Sequence, residues 1–137
     1  MRQIELVAQY HDVGKIGVAR HILTKAEPLN EQEWEEIRLH PDIGGRLAKT
    51  VPDLQTCAEL IGSHHERWDG EGYPNRLKGE EIPLISRIVA IADAYDSMQR
   101  HTSYRRGRSL EDARQELENC SGSQFDPELV RIFLRAV

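Results

Sequence analysis

The spacing of apolar residues along the chain predicts a fold built mainly from helices. Apolar side chains recur at intervals of three and four residues within positions 84–98, where they would form one face: Ile88, Ile91, Ala92, Tyr95 and Met98. Residues 4–10 form a shorter amphipathic segment, and Leu54, Cys57 and Ile61 follow the same helical spacing. Because no segment alternates convincingly between polar and apolar residues, we expect an all-α fold.

Local signals place several helix ends. Asn30 followed by Glu33 predicts an N-cap and its reciprocal partner, and Ser109 with Asp112 predicts another cap. Asp126 and the following proline open a last helix, while Pro41 starts a helix immediately after His40. His40 is therefore expected at a junction between two helices.

The helical pattern is lost between residues 67 and 83, where Gly and Pro are frequent. A loop of this length in a small domain is usually functional or disordered, and the aromatic side chains of Trp68 and Tyr73 favour order. Elsewhere no repeat or flexible linker divides the 137 residues, so we expect one domain spanning residues 1–137.

Composition narrows the possible functions. The net charge of −5 disfavours binding of long nucleic acid, whereas carboxylates grouped around a cation would explain the acidic balance. There is no apolar run long enough for a membrane span and no signal peptide at residues 1–10, which predicts a cytoplasmic location. Cys57 and Cys120 lack ligand spacing, so metal binding through thiolates is not expected.

Histidine and aspartate residues supply the candidate chemistry. Each lies at an expected helix end or beside an apolar stripe: His11, Asp12, His40, His64, His65 and Asp93. Imidazole nitrogen and carboxylate oxygen together suit iron, manganese, zinc or a related ion. Adjacent residues cannot share one helix face, so a cluster that uses both members of each pair implies two metals or a metal between helices.

A structural role is the alternative for each histidine taken singly, because a lone buried histidine is more often hydrogen-bonded in a core than bound to metal. The joint placement of the six residues favours the metal site. His21 and His101 have no companions and are expected at the surface. Asp96 is either a solvated flank residue or a partner of a ligating histidine.

The segments that carry these residues resemble the HD superfamily of phosphohydrolases, and within it the HD-GYP family of bacterial cyclic di-GMP phosphodiesterases. The matching stretches are HDVGKIG at 11–17, HP at 40–41, HHERWDGEGYP at 64–74, ADAYD at 92–96 and FDP at 125–127. The resemblance extends over nearly the whole chain, and the segment at 64–74 is long and specific.

This resemblance implies an all-helical HD-domain bundle with two, sometimes three, divalent ions, commonly iron or manganese, with zinc, nickel, cobalt or magnesium as alternatives. The implied ligands are His11, Asp12, His40, His64, His65 and Asp93, with Asp12 as the bridge. Two cations roughly 3.5 to 4 Å apart lower the pKa of water and polarise phosphoryl oxygens. The implied reaction is hydrolysis of cyclic di-GMP to linear pGpG, GMP or both by a metal-activated hydroxide.

Further residues are implied to bind the substrate. Lys15 would place a positive charge at the phosphate and take part in catalysis, with a solvent-exposed lysine as the alternative. Gly72, Tyr73 and Pro74 would line the nucleotide pocket, although Tyr73–Pro74 could simply lock a turn. Tyr104 and Arg105 match the family's Tyr-Arg pair, in which the arginine can grip a phosphate.

The sequence also departs from the family pattern. Family members usually have further helices before the HD pair, which contribute a Glu and a His, whereas ten residues precede His11 here. We therefore expect an N-terminally truncated domain of a longer protein with a sensor or receiver domain. The uncovered apolar face would then pack against other segments or in a homodimer. His101–Thr102–Ser103 replaces Asp-Arg-Pro, and Arg76 replaces a glycine.

These departures leave a second hypothesis open. The chain would then be a signalling module with little or no activity, whose loop around Tyr73 contacts diguanylate cyclase (GGDEF) domains. Metal content and turnover discriminate between the two hypotheses, because a scaffold needs neither.

Overall fold

A computed structural model describes residues 1–101 and 105–137, and this part of the chain is helical. The α-helices are α1 (Arg2–Tyr10), α2 (Arg20–Leu23), α3 (Glu31–Arg38), α4 (His40–Thr50), α5 (Ala58–Gly62), α6 (Leu84–Gln99), α7 (Leu110–Asn119) and α8 (Pro127–Ala136). Short 3₁₀ helices span Val13–Gly17, Pro52–Cys57 and Gly79–Glu81. The described residues contain no strand, only an isolated bridge between Ser121 and Phe125. The all-α prediction is confirmed.

The helix caps follow the sequence signals. The Asn30 side chain accepts a hydrogen bond from the Glu33 backbone at 2.9 Å, and the Glu33 carboxylate accepts one from the Asn30 backbone at 2.8 Å. The Ser109 hydroxyl accepts from the Asp112 backbone at 3.1 Å, and Asp126 caps α8. These contacts satisfy amide groups that a helix start leaves unpaired, so the helix starts predicted at Asn30, Ser109 and Asp126 are confirmed. The helix predicted to start at Pro41 begins one residue earlier, at His40.

In the described part of the chain two apolar clusters form the core, and α6 contributes to both. The first cluster joins α1, α4, α5, α6 and the 3₁₀ helix Pro52–Cys57. Its buried residues are Val7, Ala48, Leu54, Cys57, Ala58, Ile61 and Val89. The second joins α6, α7 and α8 through Ile91, Leu117, Phe125 and Val130. Ala92, which the spacing placed on the buried face of α6, is exposed.

The turn after His11 packs directly against the start of α4. Gly14 is buried, and a Cβ at this position would lie 1.8 Å from the carbonyl oxygen of His40. Only a residue without a side chain permits this approach. Gly14 therefore brings the His11–Asp12 segment next to His40.

The long loop is ordered by backbone contacts with the turn before α8. The backbone amide of Trp68 donates to the Gln124 carbonyl at 3.1 Å, and the backbone amide of Asp69 donates to the Ser123 carbonyl at 2.8 Å. The Arg87 guanidinium lies 5.7 Å from the centre of the Trp68 ring and donates to Asp126 at 2.7 Å. The expectation of an ordered loop is thus confirmed.

Within the described residues, no helix has the length and apolar character that crossing a membrane requires. Large apolar side chains are exposed on several elements, among them Ile16, Leu39, Leu84, Leu110 and Ile132. A single apolar face that other segments or a second copy would cover stays a prediction, as does the one-domain assignment.

Candidate metal centre

All six predicted ligand residues converge where α1, α4, α5 and α6 meet. His11 and Asp12 follow α1, His40 begins α4, His64 and His65 follow α5, and Asp93 lies within α6. One ligand atom from each of four residues lies within 4.8 Å of the others, namely Asp12, His40, His64 and His65. His11 and Asp93 adjoin this group.

Three histidines are held by the same local bond. Nδ1 of His11, His40 and His64 lies 2.8, 2.6 and 2.6 Å from a backbone carbonyl three residues earlier in the chain. A carbonyl only accepts, so each Nδ1 carries the proton. In its neutral form each ring would then present its Nε2 lone pair to the cluster, as a metal ligand does.

Asp12 lies between two halves of the site. Its Oδ1 is 3.2 Å from His40 Nε2 and 3.8 Å from His64 Nε2. Its Oδ2 accepts a hydrogen bond from Lys15 at 2.7 Å and lies 3.6 Å from His11 Nε2. Burial alone would raise the pKa of Asp12, but the neighbouring imidazoles and ammonium hold that pKa well below its ordinary range. Asp12 is therefore a carboxylate.

His11 and Asp93 form the other side of the cluster. His11 Nε2 lies 3.4 Å from Asp93 Oδ1, and this carboxylate raises the pKa of His11. His11 in turn lowers the pKa of Asp93. Among the residues that the structure describes, His11 Nε2 nevertheless has no hydrogen-bond partner, and it is buried. An unsatisfied buried nitrogen beside two carboxylates fits a cation site.

His65 connects the cluster to the long loop. Its ring centre lies 4.2 Å from that of His64 and 4.9 Å from that of His40. On its other side it stacks on Tyr73, at 5.0 Å between ring centres and 20° between ring planes. Burial, with the nearby imidazoles, lowers the pKa of His65 to about 3, so its ring is neutral and able to bind metal.

The donor set fits divalent cations. His40 Nε2 and His64 Nε2 face each other at 3.2 Å, although both rings already carry their proton on Nδ1. Two opposed lone pairs repel unless a proton or a metal lies between them. Imidazole nitrogens with two carboxylates suit borderline ions such as iron, manganese or zinc.

The predicted substrate residues lie at different places. Lys15 binds Asp12, and Tyr73 covers His65, so both border the cluster. Burial raises the pKa of Tyr73, which keeps its hydroxyl protonated. Gly72 is buried, and a Cβ there would lie 2.4 Å from the backbone nitrogen of Arg67. Packing of the backbone at this position therefore requires glycine. Pro74 is exposed beside Tyr73.

The predicted Tyr-Arg pair is described only in part. Tyr104 lies outside the described residues, as do Thr102 and Ser103. Arg105 donates to the carbonyl of Ser97, one turn beyond Asp93 on α6. Its role toward substrate stays a prediction.

The histidines set apart from the site are exposed, as expected for His21 and His101. Asp96 is exposed and pairs with Arg100 four residues later, so it is a flank residue. Sequence reasoning gave no role to Glu66, a buried carboxylate that bonds two loop amides. Glu66 directly follows His64 and His65 in the sequence, which drew attention to it. The residues whose amides it binds, Asn75 and Leu77, lie nine and eleven positions later.

Comparison with known proteins agrees with this architecture. Residues 1–129 match the profile of the HD domain family. The chain is 43% identical over 135 residues to a cyclic di-GMP phosphodiesterase of Thermotoga maritima. This alignment covers 97% of this chain and 37% of that protein. It is 38% identical over 133 residues to a 3′3′-cGAMP-specific phosphodiesterase of Vibrio cholerae, covering 96% of this chain and 26% of the relative.

A solved structure shares the fold. The crystal structure of a cyclic GMP-AMP-specific phosphodiesterase from V. cholerae superposes with a TM-score of 0.68 at 24% identity, covering 98% of this chain and 37% of that one. The chain therefore spans less than two fifths of each of these three relatives.

Proposed function

Because the chain belongs to the HD domain family, and within it to the HD-GYP group, we propose that it is a metal-dependent phosphodiesterase domain that hydrolyses a cyclic dinucleotide. Cyclic di-GMP is the proposed substrate, and linear pGpG, GMP or both are the proposed products. Relatives named for either cyclic di-GMP or 3′3′-cGAMP support the substrate class.

The arrangement of His40, His64 and Asp12 carries this proposal. Two imidazole nitrogens and a carboxylate oxygen point at one small volume, and backbone carbonyls fix both rings. Pre-oriented ligands of this kind are what a metal site needs and what a packed core does not. We propose the six predicted ligands for two ions, with Asp12 as the bridge, since its two oxygens face different histidines.

The charge of the site explains why cations are required. Asp12 and Asp93 are both ionised, and two carboxylates repel a phosphodiester anion. When bound, divalent ions reverse this charge, lower the pKa of water and polarise the phosphoryl group. Iron or manganese is the proposed metal, as the family resemblance implies, and both accept nitrogen and oxygen ligands.

The residues at the border would orient the substrate. Lys15 holds its ammonium beside Asp12, within the site that the phosphate must enter, and can donate to a phosphoryl oxygen. Tyr73 presents an aromatic ring, fixed against His65, on which a nucleobase can stack. Tyr104 and Arg105 are proposed as additional phosphate contacts from the family pattern.

The decisive experiment is a metal-dependent assay of the purified chain. It would be incubated with Mn²⁺ or Fe²⁺ and either cyclic di-GMP or 3′3′-cGAMP, and the products separated by chromatography. His11→Ala and Asp12→Ala should abolish turnover and lower the bound metal. His21→Ala is the matched control, because it removes an exposed histidine. Equal, metal-independent turnover in all four proteins would reject the proposal.

A second candidate function is a contact module for diguanylate cyclase (GGDEF) domains. It is favoured by the exposure of Pro74, Asn75 and Arg76 at the tip of the long loop. A metal-loaded chain that binds a cyclase domain but leaves both cyclic dinucleotides intact would support it. Robust hydrolysis would make it unnecessary.

A further inference from the structure

Glu66 is a buried carboxylate that bonds to the long loop, not to the metal centre. Its side chain is 5% exposed, and it follows His65 in the chain. Oε1 accepts from the Asn75 backbone at 2.6 Å, and Oε2 accepts from the Leu77 backbone at 2.9 Å. The two hydrogen bonds satisfy both oxygens of this buried side chain, and a buried polar group without partners would be costly.

The two amides flank a backbone conformation that side chains disfavour. Arg76, between Asn75 and Leu77, has a φ of 55°. A left-handed residue between two inward-pointing amides forms a concave anion-binding turn, and here the anion is the chain's own glutamate. Glu66 therefore accepts hydrogen bonds from both amides that flank this left-handed residue.

The same loop carries Tyr73. The Tyr73 backbone donates to the His65 carbonyl at 3.3 Å, and its ring stacks on the His65 ring. Gly72 allows the loop to return this closely, because any Cβ there would lie 2.6 Å from the His65 carbonyl oxygen. The loop thus folds back onto residues 65–67, with Glu66 as its second anchor.

We propose that Glu66 is a positioning residue that fixes Tyr73 against His65 and so shapes the side of the site that receives the nucleobase. This inference rests on the proposed cyclic dinucleotide hydrolysis. Glu66 acts through Tyr73 and does not contact the substrate.

The test is Glu66→Gln in the full chain loaded with Mn²⁺. Glutamine keeps the size but places an NH₂ group against a backbone amide. We expect unchanged metal content, a KM for cyclic di-GMP raised about tenfold, and kcat within about threefold of the wild type. Hydrogen exchange at the amides of Asn75 and Leu77 should accelerate about tenfold or more. Glu59→Gln, an exposed glutamate on α5, should change none of these values.

A double substitution separates positioning from general stability. If Glu66 acts through Tyr73, the Tyr73→Ala protein and the Glu66→Gln/Tyr73→Ala protein should have the same KM within about twofold. Fully additive losses, or metal loss in Glu66→Gln alone, would overturn the inference.

The exchange measurement keeps the two proposals distinguishable. Amide exchange unchanged by Glu66→Gln would overturn the positioning role, whatever the activity. A wild-type chain that binds Mn²⁺ but hydrolyses no cyclic dinucleotide would reject the proposed function. In that case accelerated exchange in Glu66→Gln, with loss of the contact between the Tyr73 and His65 rings in nuclear Overhauser spectra, would still support the positioning role.

Discussion

His40 and His64 face each other through Nε2 atoms 3.2 Å apart, while their Nδ1 atoms bond to the carbonyls of Ile37 and Ile61. When both rings are neutral with the proton on Nδ1, both Nε2 atoms offer lone pairs, which repel each other unless a proton or a metal ion lies between them. The energy of this repulsion is recovered when a positive ion binds between them. The site should therefore couple metal binding to fold stability.

Metal removal should lower thermal stability. At a free metal concentration one hundred times the Kd, a ligand that binds only the folded state adds about 2.7 kcal/mol to the free energy of unfolding. We expect Mn²⁺ or Zn²⁺ to raise the melting temperature, and a chelator to reverse the increase, in differential scanning fluorimetry. His40→Ala should lose most of this shift and His21→Ala should keep it. The same shift in both variants would contradict a site at His40.

Asp12→Asn should uncouple the two halves of the site. The amide keeps the shape but removes the charge that faces His40 through one oxygen and His11 through the other. We expect bound metal to fall and kcat to drop by about two orders of magnitude or more, equivalent to about 2.7 kcal/mol. Elemental analysis and steady-state kinetics measure the two effects. Full metal occupancy in Asp12→Asn would argue against the bridging role.

Local signals predicted the helix starts because their partners are near in the chain. The bonds between Asn30 and Glu33 span three residues, and a capping motif has few alternatives. The six residues proposed as ligands could also be selected from the sequence, since each stands in a motif. The distances between these residues could not be predicted, because they depend on how separate elements pack. Gly14, for example, contacts the carbonyl of His40, which lies 26 residues later in the chain. Sequence alone cannot give that approach.

Glu66 shows a second limit of the sequence. Its neighbours His64 and His65 draw attention as ligands, and a glutamate beside them could equally have been assigned to metal. Its actual partners, the amides of Asn75 and Leu77, are backbone groups that carry no sequence signal. Only the fold of the loop shows which role applies.

Gly14→Ala should disrupt the site through packing alone. The new methyl group would lie 1.8 Å from the His40 carbonyl oxygen and 2.6 Å from the Gly44 nitrogen, so α4 must move. We expect a loss of about 3 kcal/mol or more in urea unfolding, together with weaker metal binding. Gly62→Ala is the matched control, because its nearest contact would be 3.8 Å away. Equal stability of the two variants would contradict the close packing of Gly14 against the His40 carbonyl.

Arg76→Gly should stabilise the chain. A side chain at φ 55° costs about 1 to 2 kcal/mol relative to glycine, whereas glycine loses part of this advantage through its freedom in the unfolded state. The exposed pair between Arg76 and Glu71 contributes little. We expect a gain of about 0.5 kcal/mol in the free energy of unfolding. Arg76→Ala removes the same ion pair but retains the strain, so it should give no gain.

Stability should decrease in acid partly through Asp69. Its carboxylate forms two hydrogen bonds with Arg67 and accepts another from the Glu71 backbone, and the Arg67 bonds lower its pKa to about 2. The unfolded value is about 3.9. A folded pKa below the unfolded one contributes stability at pH values above about 4, and this contribution is lost as the pH falls toward 2. Arg67 is 38% exposed, so solvent screens the pair and the effect is small. Urea unfolding at pH 5 and pH 3 should show a wild-type advantage over Asp69→Asn that shrinks at the lower pH, and a constant advantage would contradict this origin.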